Sequence, residues 1–121
     1  MIGYVTIGTN NLEKAKAYYD ALLAELGGKR TFNSDRMQGY GGGGGGMLAV
    51  CTPHDGKPAT VGNGTMFSLA AKDREMVDKV YARAMALGSK DEGAPGERGT
   101  GFYGAYFRDP DGNKLCVFKT G

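Results

Sequence analysis

The sequence predicts an α+β fold of two βαβββ modules, because one strand–helix pattern occurs twice along it. Residues 4–26 and residues 66–87 each read as a short apolar strand, a polar cap and an amphipathic helix. A glycine, Gly27 or Gly88, follows each copy and is the residue expected where a helix ends. The copies begin about 62 positions apart, and such repetition constrains an architecture more than local propensity does.

The first module is predicted to span residues 1–52. Residues 2–8 contain alternating and β-branched side chains and read as a strand, and Asn10 or Asn11 is expected to cap the helix that follows. Apolar residues lie on one face of that helix: Leu12, Ala15, Tyr19, Leu22, Leu23 and Leu26. Three shorter strands are predicted after the helix, at 29–33, 36–40 and 47–52.

Residues 53–64 are rich in turn formers and are predicted to link this module to a second one over 65–121. The pattern restarts with a strand at 65–71, and Asp73 is expected to cap the second helix. Strands are predicted at 102–108 and 114–119, joined by the turn sequence Asp-Pro-Asp-Gly-Asn. Residues 90–101 read as a loop with room for one short strand.

Length and composition indicate one globular domain that is not built for nucleic acid or membranes. The chain has 121 residues, 40% of them hydrophobic and 23% charged, which is ordinary for a soluble protein. Its net charge is only +2 and its basic residues are scattered, whereas phosphate binding needs a concentrated basic face. Two cysteines in apolar runs, without a signal segment or a membrane span, predict a cytoplasmic location.

Two ordered motifs resemble the vicinal oxygen chelate superfamily, which includes glyoxalase I, bleomycin-resistance proteins and extradiol dioxygenases. They are VTIGTNNLEKAKAYYDALLAELG near the start and YGAYFRDPDGNKL near the end, and the linker DGKPATVGNGT resembles the bacterial glyoxalase-like branch. The resemblance covers essentially the whole chain. It implies that the modules curl into a mixed-sheet cup around a ligand site, and that the protein forms a homodimer. Whether modules pair within one chain or swap between chains stays open.

The resemblance also implies where a metal ion would bind. Enzyme branches of the family use His, Gln or Glu on the first and last strands of each half, and these positions fall on Tyr4, Met66 and Cys116. The strand at 47–50 offers no His, Asp, Glu or Gln either. We therefore predict no metal ligands and no cofactor, with a divalent metal expected only if the protein is an enzyme. A thiol and a thioether can hold Cu(I), although such side chains more often serve packing.

Strand alternation separates an aliphatic face, expected beneath the helices, from a mixed face expected to line the cup. Tyr103 is also predicted to contact the ligand, because phenolic rings suit walls that bind planar molecules. A small, aromatic molecule is the expected ligand. The predicted ligand-binding residues are Tyr4, Thr6, Met66, Ser68, Tyr103, Cys116 and Phe118.

Three further signals have ordinary interpretations. Cys116 would be a nucleophile if Lys114 lowered its pKa, but a small wall residue is the simpler interpretation. His54 and Asp55 read as solvated linker residues rather than an acid–base pair. The run Gly41–Gly46 leads into a strand rather than a helix, so a hairpin connection is favoured over a phosphate loop, with a loop over the ligand as an open alternative.

Three functions remain open at this point. The first is a metal-free binding protein of the bleomycin-resistance type, and the second is a metal-dependent glyoxalase- or dioxygenase-like enzyme, a lyase or oxidoreductase. The third is an interaction protein whose cup is filled by side chains or by a partner. No residue can be assigned a catalytic role from the sequence.

Overall fold

The computed structural model describes residues 1–42 and 44–121, so Gly43 of the glycine run lies outside the described residues. The first five elements are β1 Tyr4–Gly8, α1 Leu12–Ala24, β2 Lys29–Asn33, β3 Met37–Gly41 and β4 Met47–Cys51. The next five are β5 Phe67–Ala70, α2 Arg74–Ala86, β6 Lys90–Glu97, β7 Phe102–Arg108 and β8 Lys114–Thr120. This order confirms the predicted α+β fold of two βαβββ modules.

The chain divides into two compact units, unit 1 from Met1 to Val61 and unit 2 from Gly62 to Gly121. Each unit contains one four-stranded sheet and one helix, in the orders β1-β4-β3-β2 and β5-β8-β7-β6. In both sheets the first strand pairs in parallel with the last strand, and the remaining pairs are antiparallel. The two units therefore share one topology.

Local chemistry fixes the ends of both helices. The Oδ1 atom of Asn11 accepts a hydrogen bond from the backbone N–H of Lys14 at 3.1 Å, so Asn11 rather than Asn10 is the cap of α1. Asp73 caps α2 in the same way, accepting from the backbone N–H of Met76 at 2.8 Å. Gly27 and Gly88 follow the helices with φ of 77° and 88°, a conformation that glycine adopts without a Cβ clash.

Each helix packs its apolar face on one side of its own sheet. The core of unit 1 includes Ile7, Ala15, Tyr18, Tyr19, Leu22, Leu23, Tyr40, Leu48 and Val50. The core of unit 2 includes Val77, Val80, Ala84, Ala105, Phe107, Leu115 and Val117. Tyr18 lies outside the predicted apolar face of α1, yet it is only 3% exposed. A helix covering a sheet buries a wider stripe than a single row of positions.

The segment after α2 differs from the prediction of a loop with one short strand. Residues 90–97 form an eight-residue strand that pairs with β7, with two shifts of register along the pair. Its sequence KDEGAPGE lacks the apolar alternation that identifies a strand. The strand is therefore specified by its partner β7 rather than by its own composition. No helix in the described part of the chain is long and apolar enough to cross a membrane.

Candidate functional site

Unit 1 carries an open cleft of about 600 Å³ on the face of its sheet that points away from α1. The hydroxyl of Tyr40 donates to the carboxylate of Asp20 on α1 at 2.8 Å, which places Tyr40 on the helix side. Because side chains alternate along a strand, Met37 on β3 points to the opposite side and lines the cleft. This face carries the concave surface of the unit, and small molecules bind preferentially in concave surfaces.

The floor of the cleft comes from three paired strands, the whole length of β1 and one end each of β3 and β4. Tyr4, Thr6 and Gly8 extend from β1 on one face, and Cys51 of β4 lies between Gly8 and Met37 in the register of the sheet. The predicted ligand-binding residues Tyr4 and Thr6 thus lie together, both with exposed side chains. Cys51 is buried and contributes a small apolar surface.

One wall of the cleft is the segment 53–60, which belongs to the predicted linker. The side chain of Asn10 holds this segment through two hydrogen bonds with Ala59, one to its carbonyl at 3.1 Å and one from its N–H at 2.7 Å. A Cβ atom added to Gly8 would lie 3.0 Å from the Cβ of Ala59. The glycine at the end of β1 therefore lets the segment approach the sheet closely.

Arg36 is the basic side chain that lines the cleft. It is half-buried, and its Nη1 donates to the carbonyl oxygen of Thr52 at 2.7 Å. The backbone N–H of Thr52 in turn donates to the carbonyl of Arg36 at 3.0 Å. The guanidinium is therefore positioned by the backbone that leads from β4 into the wall segment. His54 and Asp55 of that segment also line the cleft, and both are exposed.

Tyr4 is 54% exposed, and its ring contacts Phe32 of β2 on one side. The two rings meet edge to face, with centroids 5.4 Å apart. A Cβ atom on Gly39 would lie 2.7 Å from the ring of Phe32, so the ring lies directly over this glycine. An oriented and accessible aromatic ring is suited to contact a planar ligand.

In unit 2, three of the predicted site residues share the sheet face that points away from α2. Ser68 lies opposite Cys116 in the register, and Tyr106 lies opposite Cys116 on its other side. Phe118 stacks on Phe102 with a centroid distance of 5.3 Å and an interplanar angle of 6°. Met66 immediately precedes β5 and is 41% exposed.

Cys116 is fully buried on this face. Burial raises the pKa of its thiol, and hydrogen bonding with Ser68 and Tyr106 offsets this rise only in part. Lys114 and Arg98 lower the pKa less than those hydrogen bonds do. The thiol is therefore protonated near neutral pH, which is the opposite of what an activated nucleophile requires.

Tyr103 lies on the other face of the sheet in unit 2. Its hydroxyl donates to the carboxylate of Asp78 on α2 at 2.7 Å, and the guanidinium of Arg74 lies 4.9 Å from its ring centroid. The structure therefore does not bring Tyr103 together with Ser68, Cys116 and Phe118.

Sequence reasoning missed most of the cleft in unit 1. Arg36, Met37 and Cys51 are not among the predicted site residues. His54, predicted to be a solvated linker residue, is exposed and also lines the cleft. The available signal was the position of the PHDGKP segment, since a polar turn directly after a strand lies beyond the end of that strand, where binding residues are common.

The residues at the implied metal positions do not fit a divalent ion. Tyr4, Met66 and Cys116 supply a phenol, a thioether and a buried thiol with a raised pKa, whereas Zn²⁺ and related ions bind imidazole, carboxylate or thiolate. Over the described ranges 1–42 and 44–121, no three His, Cys, Asp or Glu residues come together as a metal site requires.

The chain matches the family model for the Glyoxalase/Bleomycin resistance protein/Dioxygenase superfamily over residues 1–117. It is 38% identical to a glyoxalase/bleomycin resistance protein from Albidiferax ferrireducens T118, with a TM-score of 0.92 and coverage of 100% of this chain and 99% of that chain. No curated protein matches the chain.

Two other solved structures share the fold at lower identity. A glyoxalase/bleomycin resistance protein/dioxygenase family enzyme from Burkholderia phytofirmans PsJN is 20% identical, with a TM-score of 0.79 and 98% of each chain covered. The lactoylglutathione lyase from Agrobacterium tumefaciens is 24% identical, with a TM-score of 0.74 and coverage of 98% of this chain and 92% of that chain.

Proposed function

Because the chain belongs to the Glyoxalase/Bleomycin resistance protein/Dioxygenase superfamily, we propose that it binds a small aromatic molecule without a metal ion. The ligand occupies the cleft of unit 1, against Tyr4 and Thr6. The observation that carries this proposal is the donor chemistry at the implied metal positions, where Tyr4, Met66 and Cys116 stand. Without a Lewis acid at these positions, the metal-assisted chemistry of the enzyme branches has no centre on which to act.

The composition of the cleft supports an aromatic ligand. An exposed phenol ring from Tyr4 and the pyrrolidine rings of Pro53 and Pro58 offer flat apolar surfaces. The hydroxyl of Thr6 and the guanidinium of Arg36 add polar groups that can orient a ligand. The cleft therefore presents flat apolar surfaces that can contact a ring and polar groups that can orient it, and small-molecule sites combine both.

A binding screen with the full-length chain tests this proposal. Thermal shift and isothermal titration with 2-naphthol, 2-naphthoate and 2-naphthamide should show saturable binding, and NMR shifts should concentrate at Tyr4 and at residues 53–60. Tyr4→Ala should weaken binding by roughly tenfold, since an aromatic contact of this kind contributes about 1 kcal/mol beyond its area. Tyr4→Phe retains the ring and should bind nearly as well as the unchanged protein.

The matched control for these variants is Tyr81→Ala. Tyr81 lies on α2 in unit 2, where its hydroxyl donates to Asp91 at 2.9 Å, so its removal should leave binding unchanged. The ligand contacts predicted in unit 2 are tested by the same titrations on variants of Met66, Ser68, Tyr103, Cys116 and Phe118.

Metal titration separates this proposal from the enzyme alternative. Protein treated with EDTA should bind the aromatic probes with unchanged affinity, and Zn²⁺ or Ni²⁺ alone should not bind stoichiometrically. Close to one equivalent of tightly held metal, together with loss of aromatic binding in EDTA, would instead support a metal-dependent lyase or oxidoreductase. We also propose a homodimer and a cytoplasmic location, which ultracentrifugation and cell fractionation test.

A further inference from the structure

We propose that the ligand of the cleft in unit 1 carries a carboxylate, and that Arg36 binds it in a two-pronged hydrogen-bonded pair. This inference rests on the proposed function, because it names the chemical class of the molecule that occupies the same cleft. It assigns Arg36 as the residue that determines specificity for an anionic over a neutral aromatic ligand.

One edge of the Arg36 guanidinium is already used and the other is not. Nη1 donates to the carbonyl of Thr52 at 2.7 Å. Within residues 1–42 and 44–121, no hydrogen bond or ion pair uses the Nε and Nη2 groups of Arg36. These two N–H groups form the edge of an arginine that matches the two oxygens of a carboxylate.

Another arginine of unit 1 already forms a two-pronged pair with a carboxylate. Arg30 donates from Nε to Oδ1 of Asp20 at 2.9 Å and from Nη2 to Oδ2 at 2.8 Å. That pair uses the edge that Arg36 leaves unoccupied. A ligand carboxylate in the cleft would accept hydrogen bonds from Nε and Nη2 of Arg36, as the carboxylate of Asp20 does from Arg30.

The surroundings of Arg36 make its charge available to a ligand. No carboxylate of the described chain lies within ion-pair distance of it. Asp55 lines the same cleft, and its Oδ1 accepts a hydrogen bond from the backbone N–H of Lys57 at 3.0 Å. Arg36 is half-buried, so part of its hydration has already been removed, and a charged partner binds more strongly there than at a fully exposed arginine.

A matched pair of probes tests the inference on the unmodified protein. 2-Naphthoate and 2-naphthamide have nearly the same shape, but only the first carries a charge. Isothermal titration should show that the carboxylate binds roughly ten to a hundred times more tightly than the amide, as expected for a charge-assisted bidentate pair. Equal affinities would overturn the inference, and if both affinities still fell in Tyr4→Ala the proposed function would stand.

Variants of Arg36 assign the preference to this side chain. Arg36→Gln should abolish the preference for the carboxylate, and Arg36→Lys should retain only part of it because lysine has charge but no planar fork. Arg83→Gln, at an exposed position on α2, is the matched control and should keep the full preference. A preference that survives in Arg36→Gln would overturn the assignment, and failure of both probes to bind would overturn the proposed function with it.

Because Arg36 also bonds the backbone of Thr52, each variant is first checked by circular dichroism and thermal unfolding. The comparison of the two probes on the unmodified protein needs no variant. It therefore decides the inference even if Arg36→Gln does not fold.

Discussion

The side chain of Asn10 and the backbone of Ala59, 49 positions apart, exchange two hydrogen bonds. The side-chain amide of Asn10 donates to the carbonyl of Ala59 and accepts from its N–H, which is the pattern of two hydrogen bonds that a paired strand would make. Asn10 lies between β1 and α1, whereas Ala59 belongs to the wall segment of the cleft. These two hydrogen bonds therefore tie the wall segment to the turn between β1 and α1.

Replacing Asn10 by alanine should release the wall segment without unfolding the unit. Two hydrogen bonds of ordinary strength are lost, so we expect local opening to become easier by about 1–3 kcal/mol. Hydrogen exchange at the amide of Ala59 should accelerate by roughly tenfold or more, while amides of the α1 core keep their rates. Exchange measured by NMR on both proteins is the direct readout.

Asn10→Asp is the control for this change. The carboxylate keeps the acceptor for the N–H of Ala59 but loses the donor to its carbonyl, so an intermediate exchange rate is expected. If Ala59 exchanged equally fast in all three proteins, the two hydrogen bonds would not hold the wall.

Asp109 should be a strong stability determinant of unit 2. Its carboxylate accepts hydrogen bonds from the backbone N–H groups of Asp111 and Asn113, and from the side-chain amide of Asn113, each at 2.9 Å. Asp109→Ala leaves these donors without their acceptor in a buried turn, and should cost about 1–3 kcal/mol. Urea denaturation provides the measurement. Asp111→Ala, at a less buried position of the same turn, should cost less, and equal losses would contradict the role given to Asp109.

The thiol of Cys116 should be nearly unreactive in the folded protein. Burial raises its pKa and shields the sulfur, whereas the thiolate is the reactive form. In a Cys51→Ser variant, Ellman's reagent at pH 7.5 should label Cys116 roughly a hundredfold or more slowly than in urea. The reagent can reach the buried thiol only in molecules that have locally unfolded around it. The reciprocal Cys116→Ser variant keeps Cys51, which lines the cleft, and should react faster. Rapid labelling of native Cys116 would show that its surroundings are open.

Lowering the pH should remove the contribution that the Asp20 carboxylate makes to the free energy of unfolding. The hydrogen bond from Arg30 holds the pKa of the Asp20 carboxyl below its usual value, with further lowering from Tyr40. Below the usual aspartate pKa of about 4, the unfolded chain takes up a proton that folded Asp20 resists. The stabilisation is therefore complete above that pH and is lost as pH falls through the folded pKa.

Comparison with Asp20→Asn measures this effect. The stability difference between the two proteins, from urea denaturation at several pH values, should be constant from pH 7 to pH 5 and shrink below pH 4. Glu92, whose pKa is lowered by Arg108 in unit 2, is unchanged in both proteins and cancels from the difference. A difference that stayed constant down to pH 2 would mean that Asp20 titrates as it does in the unfolded chain.

The sequence predicted those parts of the fold that short-range chemistry specifies. Asp73 and the glycines after both helices were identified because caps and left-handed stops depend on a few neighbouring residues. The turn at 109–113 was identified for the same reason. Strand β6 was not, because KDEGAPGE has no alternation and gains its structure from pairing with β7.

Strand alternation predicts which residues share a sheet face, whereas ligand contact by those residues stays a prediction. Tyr4 and Thr6 were expected on one face, and they lie together in the cleft of unit 1. The alternation also separated Tyr103 from Phe102, but it could not show that Tyr103 points at Asp78 on α2. The wall segment escaped prediction because its contact with Asn10 spans 49 positions, and no local pattern encodes such a contact.

The parallel pairing of β1 with β4 has a consequence for how the protein is made. In the described part of unit 1, β4 is the only sheet neighbour of β1, and Tyr4 lies opposite Met47. Synthesis must therefore continue for 43 residues beyond Tyr4 before β1 meets its partner, which takes roughly two to nine seconds at typical rates. During that interval β1 has no sheet neighbour for its backbone hydrogen bonds, so it is open to chaperones and to pairing with strands of other chains.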